Sequence, residues 1–126
     1  IEFALILYAR RNYRTAAEFY EQALGRDAAH ADDLKSDHRY NAACTAVLAS
    51  VSGVPDPAAW RKRALQWLRA HLQARGKGRG VPSLDGWKKD SDFKSVRENS
   101  AALPEAESSD WKQLWQDVDA CLARPR

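Results

Sequence analysis

The chain has 126 residues, a net charge of +3, 44% apolar residues and 29% charged residues. This length and balance predict one folded domain with one hydrophobic core, and they exclude a chain that is disordered throughout. The charge is too small to indicate nucleic-acid binding by itself, and no apolar run approaches the roughly 18 residues that a membrane span needs.

The N-terminal segment predicts an antiparallel pair of helices. Residues 2–8 form a continuous apolar run whose periodicity does not separate helix from strand. The following segment has a candidate cap at Asn12, a stop at Gly25 and helical spacing of its apolar residues between them, at Ala16, Phe19, Tyr20, Ala23 and Leu24. A turn at residues 10–13 then reverses the chain. Because the chain has no Met and opens inside a helical pattern, we expect a fragment of a longer protein.

A third helix is predicted over residues 38–51, after a further turn of helix at residues 29–34. Its sequence, HRYNAACTAVLAS, is crowded with small side chains, which let a neighbouring helix approach closely: Ala42, Ala43, Cys44, Ala46 and Ala49. The stretch SGVPDP, with its glycine and two prolines, ends the pattern.

The fourth helix is predicted over residues 58–73, and a basic stretch runs through it. Its apolar face contains Ala64, Leu65, Leu68 and Leu72, with Trp60 and Trp67 beside it. No acidic residue occurs from Pro57 to Leu84, whereas the candidate basic patch consists of Arg61, Arg63, Arg69, Arg75, Lys77 and Arg79. Residues 74–86 are predicted to form a flexible basic glycine-rich loop.

The C-terminal part is predicted to contain a short helical or turn segment and a long last helix. Residues 87–99 form the first, with a cap near Asp90. The last helix starts after Pro104, and its apolar spacing is regular, at Trp111, Leu114, Trp115, Val118, Cys121 and Leu122. Because no segment has a strand pattern, we predict an all-α fold.

Two cysteines, Cys44 and Cys121, lie on the apolar sides of their predicted helices. We interpret them as buried free thiols, and this favours a cytoplasmic location. A disulfide between them would require a close approach of their Cα atoms, which stays open at this point.

Four segments together resemble a tetratricopeptide (TPR) array. NYRTAAEFYEQAL has the pattern of a second TPR helix, HRYNAACTAVLAS that of the next first helix, and RALQWLRAHL that of its second helix. WKKDSDFKSVREN resembles the Asp-x-Asp-Phe-x-x-x-Arg tail that often follows the last repeat. With the closing DWKQLWQDVDACLA, the chain resembles the TPR region C-terminal to Ser/Thr protein kinase domains of planctomycete-type bacteria. The spacing from Ala16 to its counterpart Ala64 exceeds the repeat of roughly 34 residues, and Ala28 replaces the usual proline.

This resemblance implies an α-α superhelix with helical hairpins at residues 1–73 and a C-terminal tail and capping helix at residues 87–126 of the same domain. It implies a non-catalytic scaffold that binds a partner peptide or protein, or assembles a larger bacterial protein such as a Ser/Thr kinase. In TPR proteins the concave groove is lined by a stripe that corresponds here to Glu2, Leu5, Tyr8, His38, Asn41, Thr45 and Leu48.

Asn41 has two interpretations. Its amide offers both a donor and an acceptor, which suits it to hold the backbone of an extended peptide together with His38. Alternatively, Asn41 forms a hydrogen bond to a neighbouring helix or loop and orders the stack.

The sequence predicts no catalytic residue, no cofactor and no metal site. The three histidines, His30, His38 and His71, are far apart, and neither HExxH nor CxxC occurs. A Cys-His pair of Cys44 with His38 or His71 is conceivable, but a thiol in the packing position would be inert.

Two further classes of function stay open. The basic stretch at residues 61–79, with its tryptophans, is an alternative site for nucleic acid or an acidic partner. We rank nucleic acid low, because the tryptophans have packing spacing and charge runs on helices are usually solvated. The third class is self-association, or packing on a preceding kinase domain, through an exposed aromatic surface.

Overall fold

The computed structural model describes residues 2–26, 38–75 and 84–123, and these are helical without any strand. This confirms the all-α prediction. The α-helices are α1 (Glu2–Ala9), α2 (Tyr13–Arg26), α3 (His38–Ser50), α4 (Pro57–Arg75), α5 (Leu84–Lys89), α6 (Lys94–Arg97) and α7 (Glu105–Leu122), with 3₁₀ turns at Ser91–Phe93 and Ser100–Ala102. The further helical turn predicted at residues 29–34 lies outside the described residues. None of the described helices has the length and apolarity to cross a membrane.

The chain divides into two compact units, residues 1–81 and residues 82–126. The division falls inside the predicted loop at residues 74–86, of which residues 76–83 lie outside the described part of the chain. Helix α4 extends two residues beyond its predicted end at residue 73, and α5 starts within the predicted loop. The first unit contains α1–α4, and the second contains α5–α7 with both 3₁₀ turns.

The connection between α1 and α2 is a tight helix end of the Schellman type. The amide N–H of Asn12 donates to the carbonyl of Leu7 at 2.8 Å, and that of Arg11 donates to the carbonyl of Tyr8 at 2.9 Å. Arg11 adopts a φ of 60°, the left-handed conformation that this motif requires and that usually selects glycine. The predicted turn is therefore present, and the chain forms it without a glycine.

In the first unit each helix packs mainly on the next described helix: α1 on α2, α2 on α3 and α3 on α4. Residues 42–47 of α3 are all buried, so α3 is enclosed around its circumference. Its alanines make this possible, because their short side chains allow close helix–helix approach. The prediction that α3 is a closely packed helix is confirmed.

The buried stripe of α4 consists of Trp60, Ala64, Leu68 and His71. Their spacing of three to four residues is that of one helix face, which is why the stripe points consistently into the unit. The sequence analysis placed Ala64 and Leu68 correctly but set Trp60 beside the face and gave His71 no structural role. His71 is 1% exposed.

The second unit is built around aromatic side chains. Its buried apolar residues are Trp87, Phe93, Val96, Trp111, Leu114, Trp115 and Val118. The Trp115 ring stacks on Trp111 with centroids 6.3 Å apart, and it packs at a tilt against Phe93 at 5.8 Å. The contact with Phe93 joins α7 to the 3₁₀ turn before α6, and such ring pairs add about 0.5–1.5 kcal/mol beyond the area that they bury.

Side chains also satisfy the backbone of the irregular segment in this unit. Arg97 Nη1 donates to the carbonyls of Trp87 and Asp90, both at 2.9 Å, and Trp115 Nε1 donates to the carbonyl of Val96 at 3.1 Å. The Asp90 carboxylate accepts from the amide of Asp92 at 2.9 Å, which confirms the cap predicted near Asp90. The Asp-x-Asp-Phe-x-x-x-Arg pattern is therefore a set of structural residues in this chain.

Both cysteines are free thiols. Cys44 is 4% exposed on α3, as its packing position predicted. Cys121, near the end of α7, is only partly buried, so the expectation of a buried thiol holds for Cys44 alone.

Candidate functional site

The predicted peptide stripe is divided by the structure into accessible and buried positions. His38, Asn41 and Leu48 on α3 are partly exposed, whereas Thr45 is 1% exposed. Tyr8 lies on α1 and packs edge-on against Tyr13, with ring centroids 5.6 Å apart. The side chains of the two remaining candidates, Glu2 and Leu5, lie outside what the structure describes.

Thr45 is turned toward its own helix. Its Oγ1 donates to the carbonyl of Asn41, one turn earlier, at 2.7 Å. This back-bonding is a common way for a threonine inside a helix to satisfy its hydroxyl. The Thr45 hydroxyl is therefore occupied within α3, whereas Asn41 remains partly exposed.

A fully buried tyrosine lies beneath these helices. Tyr20 of α2 is 0% exposed and belongs to a core cluster with Ala4 and Ala42. Burial, together with the negative potential of the nearby Cys44, raises the pKa of Tyr20 to about 12. Its hydroxyl therefore stays neutral at physiological pH, and it makes no hydrogen bond within the described residues. Because an uncharged phenol is a weak nucleophile, we interpret the neighbouring Tyr20 and Cys44 as packing residues.

A groove of about 440 Å³ lies between α2 and α4, on the first unit. We call it the α2–α4 groove, and it is lined by Glu21, Leu24, Gly25, Arg39, Arg63, Gln66, Trp67 and Ala70. Each helix contributes residues three or four positions apart, which lie on one face. Arg39, from the first turn of α3, closes one side. The sequence analysis did not find this groove, because it depends on the lateral spacing of α2 and α4.

One ion pair spans the α2–α4 groove. The Arg63 guanidinium pairs with the Glu21 carboxylate, and the two side chains are 36% and 44% exposed. The same guanidinium lies 4.5 Å from the ring centroid of Trp60 and makes a cation–π contact. Arg63 is thus held between an aromatic face and a carboxylate.

The predicted basic patch does not lie on one face of α4. At about 100° per residue, Arg61 lies roughly 160° around the helix from Arg63, and Arg69 is also well away from the groove-lining face. Arg61, Arg63 and Arg69 are all partly buried. The side chain of Arg75 and residues Lys77 and Arg79 lie outside the described residues, so the patch is described only for its first half.

A second groove, of about 410 Å³, lies in the second unit beside the start of α7. It is lined by Ala101, Leu103, Glu105, Ser108, Ser109 and Lys112. Its polar groups are one acidic, one basic and two hydroxyl side chains, a mixture without a dominant charge. This groove therefore indicates no ligand class.

No protein-family model, no curated protein and no solved structure matches this chain. The resemblance to TPR proteins accordingly stays a prediction from the sequence pattern, beside a fold whose described secondary structure consists of helices and turns.

Proposed function

We propose that this chain is a non-catalytic protein-interaction module, a helical scaffold of the TPR type that binds a peptide or protein partner. As the resemblance to kinase-associated TPR regions implies, the parent protein would be a bacterial, cytoplasmic Ser/Thr kinase that uses the module for recruitment or assembly. The free state of both thiols is consistent with a reducing compartment.

One observation carries this proposal: the described helices α1 to α4 pack successively, each on the next described one. Helical scaffolds of this kind use neighbour-to-neighbour packing to build extended surfaces rather than an enclosed catalytic pocket. The partly exposed His38, Asn41 and Leu48 then form one stripe on α3, at positions that share a face. An extended segment lying on that stripe would exchange hydrogen bonds with the Asn41 amide.

The test is a selection of random peptides displayed on phage against the purified chain, followed by calorimetric titration of the enriched sequences. We expect dissociation constants in the micromolar range. Asn41→Ala or His38→Ala should weaken binding about tenfold, because each removes roughly one neutral hydrogen bond and the packing of that side chain. Glu18→Ala, an exposed change on α2, is the matched control and should bind as the parent does.

Two results would remove the proposal. Selection that enriches no peptide in repeated trials would speak against a binding module of this type. Peptides that bind the Asn41→Ala and His38→Ala variants as tightly as the parent would place the binding elsewhere on the molecule.

Self-association is the alternative form of the same function. Ile6 on α1 is 50% exposed and Phe19 on α2 is 38% exposed, so the first unit presents large apolar side chains to solvent. Light scattering across protein concentration decides between the two forms. A constant monomer mass favours peptide binding, whereas a mass that doubles with concentration favours assembly.

A further inference from the structure

The α2–α4 groove combines fixed positive charge with a preformed apolar floor. We propose that it binds an acidic segment of a partner protein, whose carboxylates pair with Arg39 and Arg63 and whose apolar side chain packs on Leu24 and Trp67. The inference rests on the proposed role as an interaction module and adds a second, separate face to it.

The groove is distinct from the stripe around Asn41. Arg39 and Asn41 are two positions apart on α3, which places them roughly 200° apart around the helix axis. Only Arg39 of these two lines the groove. A partner held at Asn41 and a partner held in the groove would therefore contact opposite sides of α3.

Charge defines the ligand. Among the described residues, two guanidinium groups and one carboxylate line the groove, and α4 carries no acidic residue along its length. The Glu21 carboxylate pairs with Arg63 across the groove, in the place that a ligand carboxylate would take. Because an ion pair this exposed to solvent contributes little to the stability of the fold, exchanging Glu21 for a ligand carboxylate costs little. The aromatic face of Trp60 keeps Arg63 in position during the exchange.

The floor of the groove is already in place before any ligand binds. Leu24 and Trp67 are partly exposed toward the groove and pack on the core cluster of Ala4, Tyr20 and Ala42. A floor anchored in this way loses little side-chain entropy on binding, which favours affinity. An apolar residue within the acidic segment would cover the exposed edges of both side chains.

The same features favour a carboxylate-bearing peptide over a nucleic acid. Glu21 would repel a continuous phosphate backbone, and the three described arginines of α4 do not line one continuous track. Trp67 is held by the core, so its ring is not a free platform on which a base could stack. A short acidic segment needs only the two arginines of the groove.

Gly25 provides a way to close the groove without disturbing the helix. It lies in α2 at the groove wall, and a Cβ built there meets no atom within 4 Å. Gly25→Trp should therefore fill the space, whereas Gly25→Ala should leave it open. Both replace a helical glycine by a better helix former, so neither is expected to destabilise α2.

The experiment measures fluorescence anisotropy of a labelled peptide, Glu-Glu-Leu-Glu-Glu, at low salt. We expect saturable binding that weakens about tenfold when glutamine replaces every glutamate of the peptide, and about as much with Arg63→Gln or Arg39→Gln. Glu21→Gln should tighten binding severalfold, because the internal competitor is removed. Gly25→Trp should abolish binding at unchanged helical circular dichroism, and Gly25→Ala should bind like the parent.

Three outcomes overturn the inference: absence of saturable peptide binding, equal binding to Gly25→Trp and the parent, or tighter binding of a ten-nucleotide oligo(dT) than of the peptide. The oligo(dT) outcome would reassign the groove to nucleic acid. Peptide binding that is lost in Gly25→Trp but kept in Asn41→Ala supports the groove even if the stripe on α3 binds nothing. Loss in Asn41→Ala with full binding to Gly25→Trp supports the stripe and removes the groove.

Discussion

The two units of this chain differ in how the backbone groups of their helices find hydrogen-bond partners. The first unit consists of regular helices packed through alanines, and it buries the Tyr20 hydroxyl without a partner in the described residues. The second consists of short helical segments, and Arg97 and Trp115 donate to the carbonyls that these segments leave open. Long helices satisfy most of their own backbone groups, whereas a helix of four residues satisfies almost none.

This comparison makes Trp115 the most sensitive residue of the second unit. Trp115→Ala removes two ring contacts and the bond to the Val96 carbonyl, and we expect a loss of about 3–5 kcal/mol in the free energy of unfolding of this unit. Urea denaturation followed by hydrogen exchange at the amides of α7 measures it. Gln116→Ala, at the exposed neighbouring position, should change stability by less than about 0.5 kcal/mol. Equal effects of the two substitutions would show that the aromatic cluster does not hold α7.

Substitutions at Arg97 and Glu98 distinguish the hydrogen bonds of Arg97 to backbone carbonyls from its ion pair at the surface. Arg97→Met keeps the aliphatic stem but removes the guanidinium that donates to both carbonyls. Because the Asp90 carbonyl also accepts from the Phe93 amide at 3.2 Å, we expect the loss of these two bonds to cost about 1–2 kcal/mol. Glu98→Gln removes only the exposed contact of 3.4 Å between Arg97 and Glu98, so its effect should stay below about 0.5 kcal/mol. Chemical denaturation of both variants provides the comparison. If Glu98→Gln proved as costly as Arg97→Met, the ion pair rather than the hydrogen bonds to the carbonyls would hold the segment.

In the first unit, removal of a buried polar atom should raise the free energy of unfolding rather than lower it. Tyr20→Phe eliminates a buried hydroxyl that makes no hydrogen bond in the described residues, and we expect a gain of about 1 kcal/mol. The half-buried Tyr13 provides the control Tyr13→Phe, which should be close to neutral. Thermal denaturation at neutral pH measures both, and a loss of stability in Tyr20→Phe would show that the hydroxyl has a partner.

The raised pKa of Tyr20 adds a pH signature to the same variant. Below pH 10 Tyr20 is protonated in the folded and unfolded states alike, so its titration leaves the free energy of unfolding unchanged. Between pH 10 and about 12 the unfolded chain loses this proton while the folded chain keeps it, and stability falls. The whole fall is about 3 kcal/mol at most, and Tyr20→Phe should lack this part of the decline in alkaline denaturation.

The sequence predicted the elements whose evidence is local. The helical spacing of apolar residues in α2 and α7 and the small residues of α3 indicated regular helices, and Asp90 indicated a cap. These features depend on residues within one or two turns of each other. The α1–α2 turn was also predicted, although its left-handed residue is Arg11 rather than glycine.

Features that depend on tertiary arrangement were not predicted. The sequence analysis treated Arg97 as part of a family pattern, but its role depends on two carbonyls seven and ten residues earlier. The α2–α4 groove requires side chains from three helices at a fixed spacing, which no periodicity reports. Thr45 shared a stripe with Asn41, yet its hydroxyl turned back to the helix. The position of Thr45 inside a helix could have indicated this, because such threonines commonly donate to a carbonyl one turn earlier.

Because the two cysteines differ in burial, their reaction with a thiol reagent can measure how often the first unit opens. Cys121 is partly accessible, so a thiol reagent should modify it rapidly in the native state, whereas Cys44 can react only when α3 separates from its neighbours. The rate of the slow reaction, divided by that of an unstructured thiol, is the equilibrium constant for exposing α3. The parent sequence thus reports the opening of its first unit without an engineered label.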